Sequence, residues 1–103
     1  MYKIKFSADA DQDIREIYEY LKNEYGSEEL AKNTTRKIGQ RIRQLEIFPE
    51  SGALLESIVG WPTDFRFLVS GQYLIFYTIE GKRVQIERII YGRRNYYNIL
   101  FGK

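Results

Sequence analysis

The stretch Tyr73-Leu74-Ile75-Phe76-Tyr77-Thr78-Ile79-Glu80-Gly81-Lys82-Arg83-Val84-Gln85-Ile86-Glu87-Arg88-Ile89-Ile90-Tyr91 decides the fold. Residues 73–79 are almost wholly aromatic or β-branched, which suits a pleated, buried strand. Glu80-Gly81-Lys82 reads as a tight turn. Beyond it Val84, Ile86, Arg88 and Ile90 alternate with Gln85, Glu87, Ile89 and Tyr91, the period of two that a strand requires. Residues 65–69 read as a further strand, joined to Tyr73 through a Ser70-Gly71-Gln72 loop. Loops this short connect antiparallel neighbours, so residues 65–91 form a meander of three strands.

Upstream, the period changes. Ala10, Ile14, Ile17, Tyr18, Leu21 and Tyr25 recur at spacings of three and four, the stripe of an amphipathic helix. Ser7 is its N-cap, and Asp9 and Asp11 put negative charge at the positive end of the helix dipole. Gly26 ends it and Ser27 caps a second helix, whose stripe is Leu30, Ile38, Ile42 and Leu45 and which Pro49 stops. The short connection implies an antiparallel helical hairpin. Gly39, inside the second helix, reads as a point of close approach to the first helix or the sheet. Tyr2, Ile4 and Phe6 form one face of a first strand. Residues 49–64 have no clear period and carry the turn markers Pro49, Gly52, Gly60 and Pro62. The order is β-α-α-β-β-β: an α+β fold in which a helical hairpin packs on an antiparallel sheet, with residues 1–103 as one domain.

Composition excludes several chemistries. The 103 residues contain no cysteine, hence no disulfide scaffold, thiolate zinc site or cysteine nucleophile. They contain no histidine, which removes the commonest general base and metal ligand. Asp9, Asp11, Asp13 and Glu16 read as helix-start charge spread around a turn, not as a metal site, and no cofactor is implied. No apolar run reaches the length of a membrane span. The alternation in Met1–Phe6 is a strand pattern and not a signal peptide. The expected location is the cytoplasm.

The net charge of +2 hides an asymmetry. Residues 1–30 hold four basic and eight acidic side chains. Residues 31–46 hold Lys32, Arg36, Lys37, Arg41 and Arg43 against Glu46 alone. Residues 82–103 hold six basic side chains against Glu87. Clustered positive charge suits a polyanion or an acidic peptide, and equally a solvated charged face.

After the last strand, Arg93-Arg94-Asn95-Tyr96-Tyr97 sets two guanidinium groups beside two phenols. Arginine forks fit phosphate oxygens and tyrosine rings stack on bases. Tyr96, Tyr97, Ile99, Leu100 and Phe101 can equally be a tail that packs on the sheet. Arg88 reads as a structural arginine sharing a face with Val84, Ile86 and Ile90 and paired to an acidic residue of the helices. Trp61 reads as a cap over the core.

Three segments resemble the RelE/ParE superfamily, the toxins of bacterial type II toxin–antitoxin systems. They are Ser7–Ile14 running on through Ile17-Tyr18, then Leu45-Glu46-Ile47-Phe48-Pro49-Glu50-Ser51-Gly52, then the meander with its Gly92-Arg93-Arg94 ending. They occur in the family's order over essentially the whole chain. The resemblance implies a protein that arrests bacterial growth, neutralised by a cognate antitoxin that wraps a segment over it. It also implies one of two activities. RelE-like members cleave messenger RNA on the ribosome; ParE-like members poison DNA gyrase.

For the ribonuclease alternative, the resemblance points to Arg94, Arg66 and Tyr96 or Tyr97 as catalytic residues. Cleavage through a 2′-hydroxyl needs a base, a stabiliser of phosphate charge and an acid. The pattern departs from this chain at two places: the arginine expected before the apolar triplet of the middle strand is replaced by Tyr73 or Leu74, and there is no histidine. The middle strand and the Gly92-Arg93-Arg94 ending resemble the ParE branch more closely. On that reading Arg93, Arg94, Asn95 and Tyr96 contact the target, the partners are an antitoxin and gyrase, and no catalysis occurs.

Overall fold

A computed structural model describes residues 1–92 and 94–102. A strand β1 (Lys3–Phe6) leads into helices α1 (Ala8–Glu24) and α2 (Glu28–Arg43), and a 3₁₀ turn (Gln44–Glu46) follows. Then come a two-residue strand β2 (Ala53–Leu54), a one-turn helix α3 (Glu56–Val59), the meander β3 (Arg66–Ser70), β4 (Tyr73–Glu80) and β5 (Arg83–Tyr91), and a helix α4 (Tyr96–Phe101). The five strands form one sheet in the order β1-β5-β4-β3-β2.

Both expected caps are in place. The Ser7 hydroxyl accepts from the Ala10 N–H at 2.9 Å, and the Ser27 hydroxyl from the Leu30 N–H at 3.0 Å. The meander is antiparallel throughout. The sheet as a whole is mixed, because β1 pairs with β5 in parallel. The short-loop argument reaches only the strands that short loops join; β1 is tethered through the helical hairpin, which leaves its direction open. β2, α3 and α4 add to the expected elements and are too short to carry a period.

The sheet is covered on both faces. The hairpin packs Ala10, Ile38, Ile42 and Leu45 onto Leu68, Ile75, Val84, Ile86 and Ile89. On the other face Leu55, Phe76 and Ile90 are buried beneath Phe65, Ile99, Leu100 and Phe101. The partition depends on a β-bulge. Phe76 pairs with Arg88 but Tyr77 pairs with Ile86, leaving Glu87 as the extra residue. The alternation of β5 therefore changes phase: Ile89, not Arg88, joins Val84 and Ile86 on the helix side, and Ile90 goes to the opposite face. The common face expected for Arg88, Val84, Ile86 and Ile90 does not exist.

Arg88 is nevertheless paired to a helix. Its Nε and Nη2 donate to Asp13 Oδ2 and Oδ1, each at 2.8 Å, and the Ile89 N–H donates to Oδ2 at 2.8 Å. Asp13 is only 6% exposed. Where β1 stops, α1 takes over the free edge of β5: Ser7 Oγ donates to the Glu87 carbonyl and Asp13 receives the Ile89 amide. Gly39, in contrast, is not a packing glycine. A Cβ there would meet nothing within 4 Å, and the residue faces outward. A mid-helix glycine costs about 0.5–1 kcal/mol relative to alanine.

Replacing Asp13 by Ala strands a guanidinium and a buried amide together. The expected loss is about 3 kcal/mol of unfolding free energy, read from urea midpoints. Arg88→Met keeps the Asp13–Ile89 bond but leaves a buried carboxylate without its cation, so a comparable loss is expected; a loss well below that of Asp13→Ala would show that the amide cap carries the effect.

Candidate functional site

Where β5 leaves the sheet, Gly92 donates its N–H to the Gln72 carbonyl at 2.7 Å. A Cβ on Gly92 would sit 3.2 Å from that oxygen, so a glycine lets the exit strand pass close to the β3–β4 turn. The Arg94 N–H then turns back to the Tyr91 carbonyl at 2.9 Å. This turn brings Arg94 to an open groove of about 650 Å³ between the hairpin and the end of the sheet. Tyr20 and Tyr25 line one wall and Tyr73 and Tyr91 the other, with Lys37 and Arg94 adding positive charge and Glu16 negative charge. Each tyrosine pair is edge-to-face, with centroids 6.0 and 5.8 Å apart. Sequence reading missed this groove, because its tyrosines come from α1, the α1–α2 connection, β4 and β5.

Asn95, Tyr96 and Tyr97 go elsewhere. Asn95 caps α4, its Oδ1 accepting from the Asn98 N–H at 3.3 Å. The Tyr96 ring lies 5.3 Å from Phe76 on the far face of the sheet. Tyr97 packs on Trp61 and Phe101. Trp61 thus caps an aromatic cluster around α4 while remaining 38% exposed. Tyr96, Ile99, Leu100 and Phe101 all pack on the second apolar cluster, as a sheet-packing tail would. Arg93 lies outside the described residues.

Arg66 is occupied as well. Its Nη1 donates to the Glu50 and Gly52 carbonyls at 3.1 and 3.0 Å. The same loop is held from below by Tyr77, whose hydroxyl donates to the Pro49 carbonyl and accepts from the Gly52 N–H, both at 2.8 Å. Gly52 has no room for a side chain: a Cβ there would run into the Tyr77 ring and the Phe67 carbonyl. Arg66 begins β3, whereas Ser70, at its other end, lines the groove with Arg94. Four residues of strand separate them by about 13 Å. Arg66, Arg94, Tyr96 and Tyr97 therefore do not converge on one point.

Two carboxylates also line the groove: Glu16, and Asp13, which is held by Arg88 and the Ile89 amide. Burial, with the neighbouring Tyr91, pushes the Tyr73 phenol above its ordinary value, and Tyr25 pushes Tyr20 the same way. Both stay protonated near neutral pH. Among the described residues no group of acidic side chains is placed to hold a metal ion.

A family model described as "ParE toxin of type II toxin-antitoxin system, parDE" matches residues 4–96. The chain belongs to the ParE toxin family. A solved structure titled "Chromosomal ParDE TA system from P. aeruginosa" shares the fold, with a TM-score of 0.72 and 24% identity over 86% of this chain and 94% of that one. Among curated proteins none matches significantly. As a ParE toxin of a type II system, the chain has a cognate antitoxin as its partner. No described helix is long and apolar enough to cross a membrane.

Burial is the leading cause raising the Tyr77 phenol as well. Tyr73 and Tyr77 both bind their protons more tightly folded than unfolded. The stability this contributes is complete below the ordinary value of 10.0 and is lost as pH rises through the folded-state values. Urea midpoints are expected to fall between about pH 9 and pH 11, and Tyr77→Phe to flatten part of that fall. An unchanged pH dependence in Tyr77→Phe would contradict the assignment.

Proposed function

We propose that this toxin arrests bacterial growth by binding and inhibiting DNA gyrase, without catalysis, and that Arg94 at the mouth of the tyrosine groove is its principal target contact. The observation that carries the reading is the dispersal of the ribonuclease candidates. Arg66 is spent on two loop carbonyls, Tyr96 packs α4 onto the far face, Tyr97 lies against Trp61 and Phe101, and of the four candidates Arg94 alone lines the groove. A nuclease must gather acid, base and charge stabiliser around one phosphate. A binding toxin needs only an accessible surface with anchors. The tyrosine groove has that character: amphipathic rings that lose little side-chain entropy, rimmed by a cation. Membership of the ParE family agrees with the gyrase branch that the middle strand and the Gly92-Arg93-Arg94 ending resemble.

Of the four residues expected at the target, Asn95 and Tyr96 act on this reading by shaping α4, and Arg93 and Arg94 act by contact. Induced expression without antitoxin, followed by pulses of labelled thymidine and methionine, separates the activities. Thymidine incorporation is expected to fall first; methionine falling first would favour messenger RNA cleavage and overturn the proposal. Arg93→Ala with Arg94→Ala is expected to restore growth while leaving the unfolding free energy within about 0.5 kcal/mol of the parent. Full toxicity in that folded variant would remove Arg94 from the contact surface.

A further inference from the structure

The outward face of α2 carries a feature that the groove does not use. At about 100° per residue, Lys32, Arg36, Gly39 and Arg43 fall within roughly 60° of arc and extend along about 16 Å of helix axis. All four are exposed. Among the described residues none of the three cations forms a salt bridge; Arg36 donates only to the Asn33 side chain. Arg41, by contrast, is tied to the Val69 carbonyl and to Gln44. Glu29 lies at the N-terminal end of the same arc, so the purely basic part begins at Lys32. Between Arg36 and Arg43 the row is interrupted by Gly39, whose missing side chain leaves empty space above the backbone. Nothing inside the molecule requires a glycine there.

We propose that this face of α2 is a binding surface for the sugar–phosphate backbone of duplex DNA, with Lys32, Arg36 and Arg43 on phosphate oxygens and Gly39 as the point of closest approach. Charge complementarity selects the ligand class. Duplex DNA presents one negative charge per about 1.7 Å of its axis, so a 16 Å row of cations meets several phosphates at once. Arginine forks hold phosphate in bidentate fashion. An acidic protein segment is the poorer occupant. Protein interfaces take most of their binding energy from buried apolar or aromatic anchors, and this arc has none between Lys32 and Arg43. Single strands are disfavoured for the related reason that no aromatic ring on the arc offers a base a stacking platform. Contacts of this type position a duplex without reading its sequence. The proposal concerns α2 alone and does not depend on gyrase being the target.

The test uses the purified 103-residue chain and a fluorescein-labelled duplex of about 20 base pairs, followed by fluorescence anisotropy from about 50 to 200 mM salt. Binding is expected at low salt and to weaken steeply as salt rises. The Lys32→Gln, Arg36→Gln, Arg43→Gln variant is expected to lose at least about tenfold in affinity, and its log–log salt slope to shrink by roughly two to three, near 0.9 per phosphate contact removed. Gly39→Gln leaves the charge unchanged and favours the helix; it is expected to weaken binding several-fold while raising the melting temperature. Several results overturn the proposal. One is the absence of binding at about 50 mM salt, and another is an unchanged slope in the triple variant. A labelled poly-glutamate peptide binding more tightly than the duplex would reassign the face to an acidic protein, and a single strand binding more tightly would remove the duplex. Binding unaffected by Gly39→Gln would refute the close approach. Because gyrase is absent from the assay, its outcome is separate from that of the growth experiments.

Discussion

The Asp13 carboxylate is the constraint on which the arrangement of this molecule depends. It accepts two hydrogen bonds from Arg88 and one from the Ile89 amide, joining α1 to β5 across 75 and 76 residues of sequence. The net energetic contribution of such a buried pair is modest, because desolvating the ions offsets much of their attraction. Its structural consequence is larger. The carboxylate sits just past the bulge at Glu87, where β1 has ended and β5 would otherwise present an unpaired amide to an apolar interior. A fixed acceptor at that point favours the bulged register over the regular one, which would also turn Arg88 onto the apolar face with Val84 and Ile86. In the regular register Ile89 and Ile90 would exchange faces.

The bulge in turn builds the second face. Because Ile90 points away from the hairpin, it forms with Phe76 and Leu55 the platform that α4 covers. A six-residue helix has little stability of its own, and this one is held by Tyr96, Ile99, Leu100 and Phe101 against that platform. Two tyrosines two and three positions beyond Arg94 are thereby drawn to the far side, and Arg94 remains at the groove. Neighbours in sequence become occupants of opposite faces. That separation places Tyr96 and Arg94 on different sides of the sheet.

Much of this architecture was legible beforehand, and the illegible part has a common cause. The 3.6-residue stripes of α1 and α2, the serine caps and the alternating strands are local signals, each readable within about ten residues. A bulge is a relation between two strands, and Glu87 carries no mark of it. The partners of Arg66 are backbone carbonyls of an irregular loop, which leave no trace in side-chain identity. Asp13 was indistinguishable from Asp9 and Asp11 until its face of the helix was known. Gly39 reads in sequence as a point of close approach, but whether a neighbour is there depends on which face of the helix it occupies, and a Cβ at Gly39 meets open space.

The charge asymmetry becomes intelligible only with the hairpin in place. Adjacent packed helices lie with axes about 8–10 Å apart, which is also about one Debye length at physiological salt. A ligand touching the outer face of α2 is therefore partly screened from the acidic side chains that point outward from α1, and from Lys32 onward meets mainly the row of three cations. The same ligand approaching α1 would meet Asp11, Glu16 and Glu19. A chain with a net charge of only +2 can thus repel polyanions over one helix and hold them over the next. What decides association is the sign of charge within one screening length of contact, and here the acidic excess lies on α1 and the basic excess on α2 from Lys32 onward.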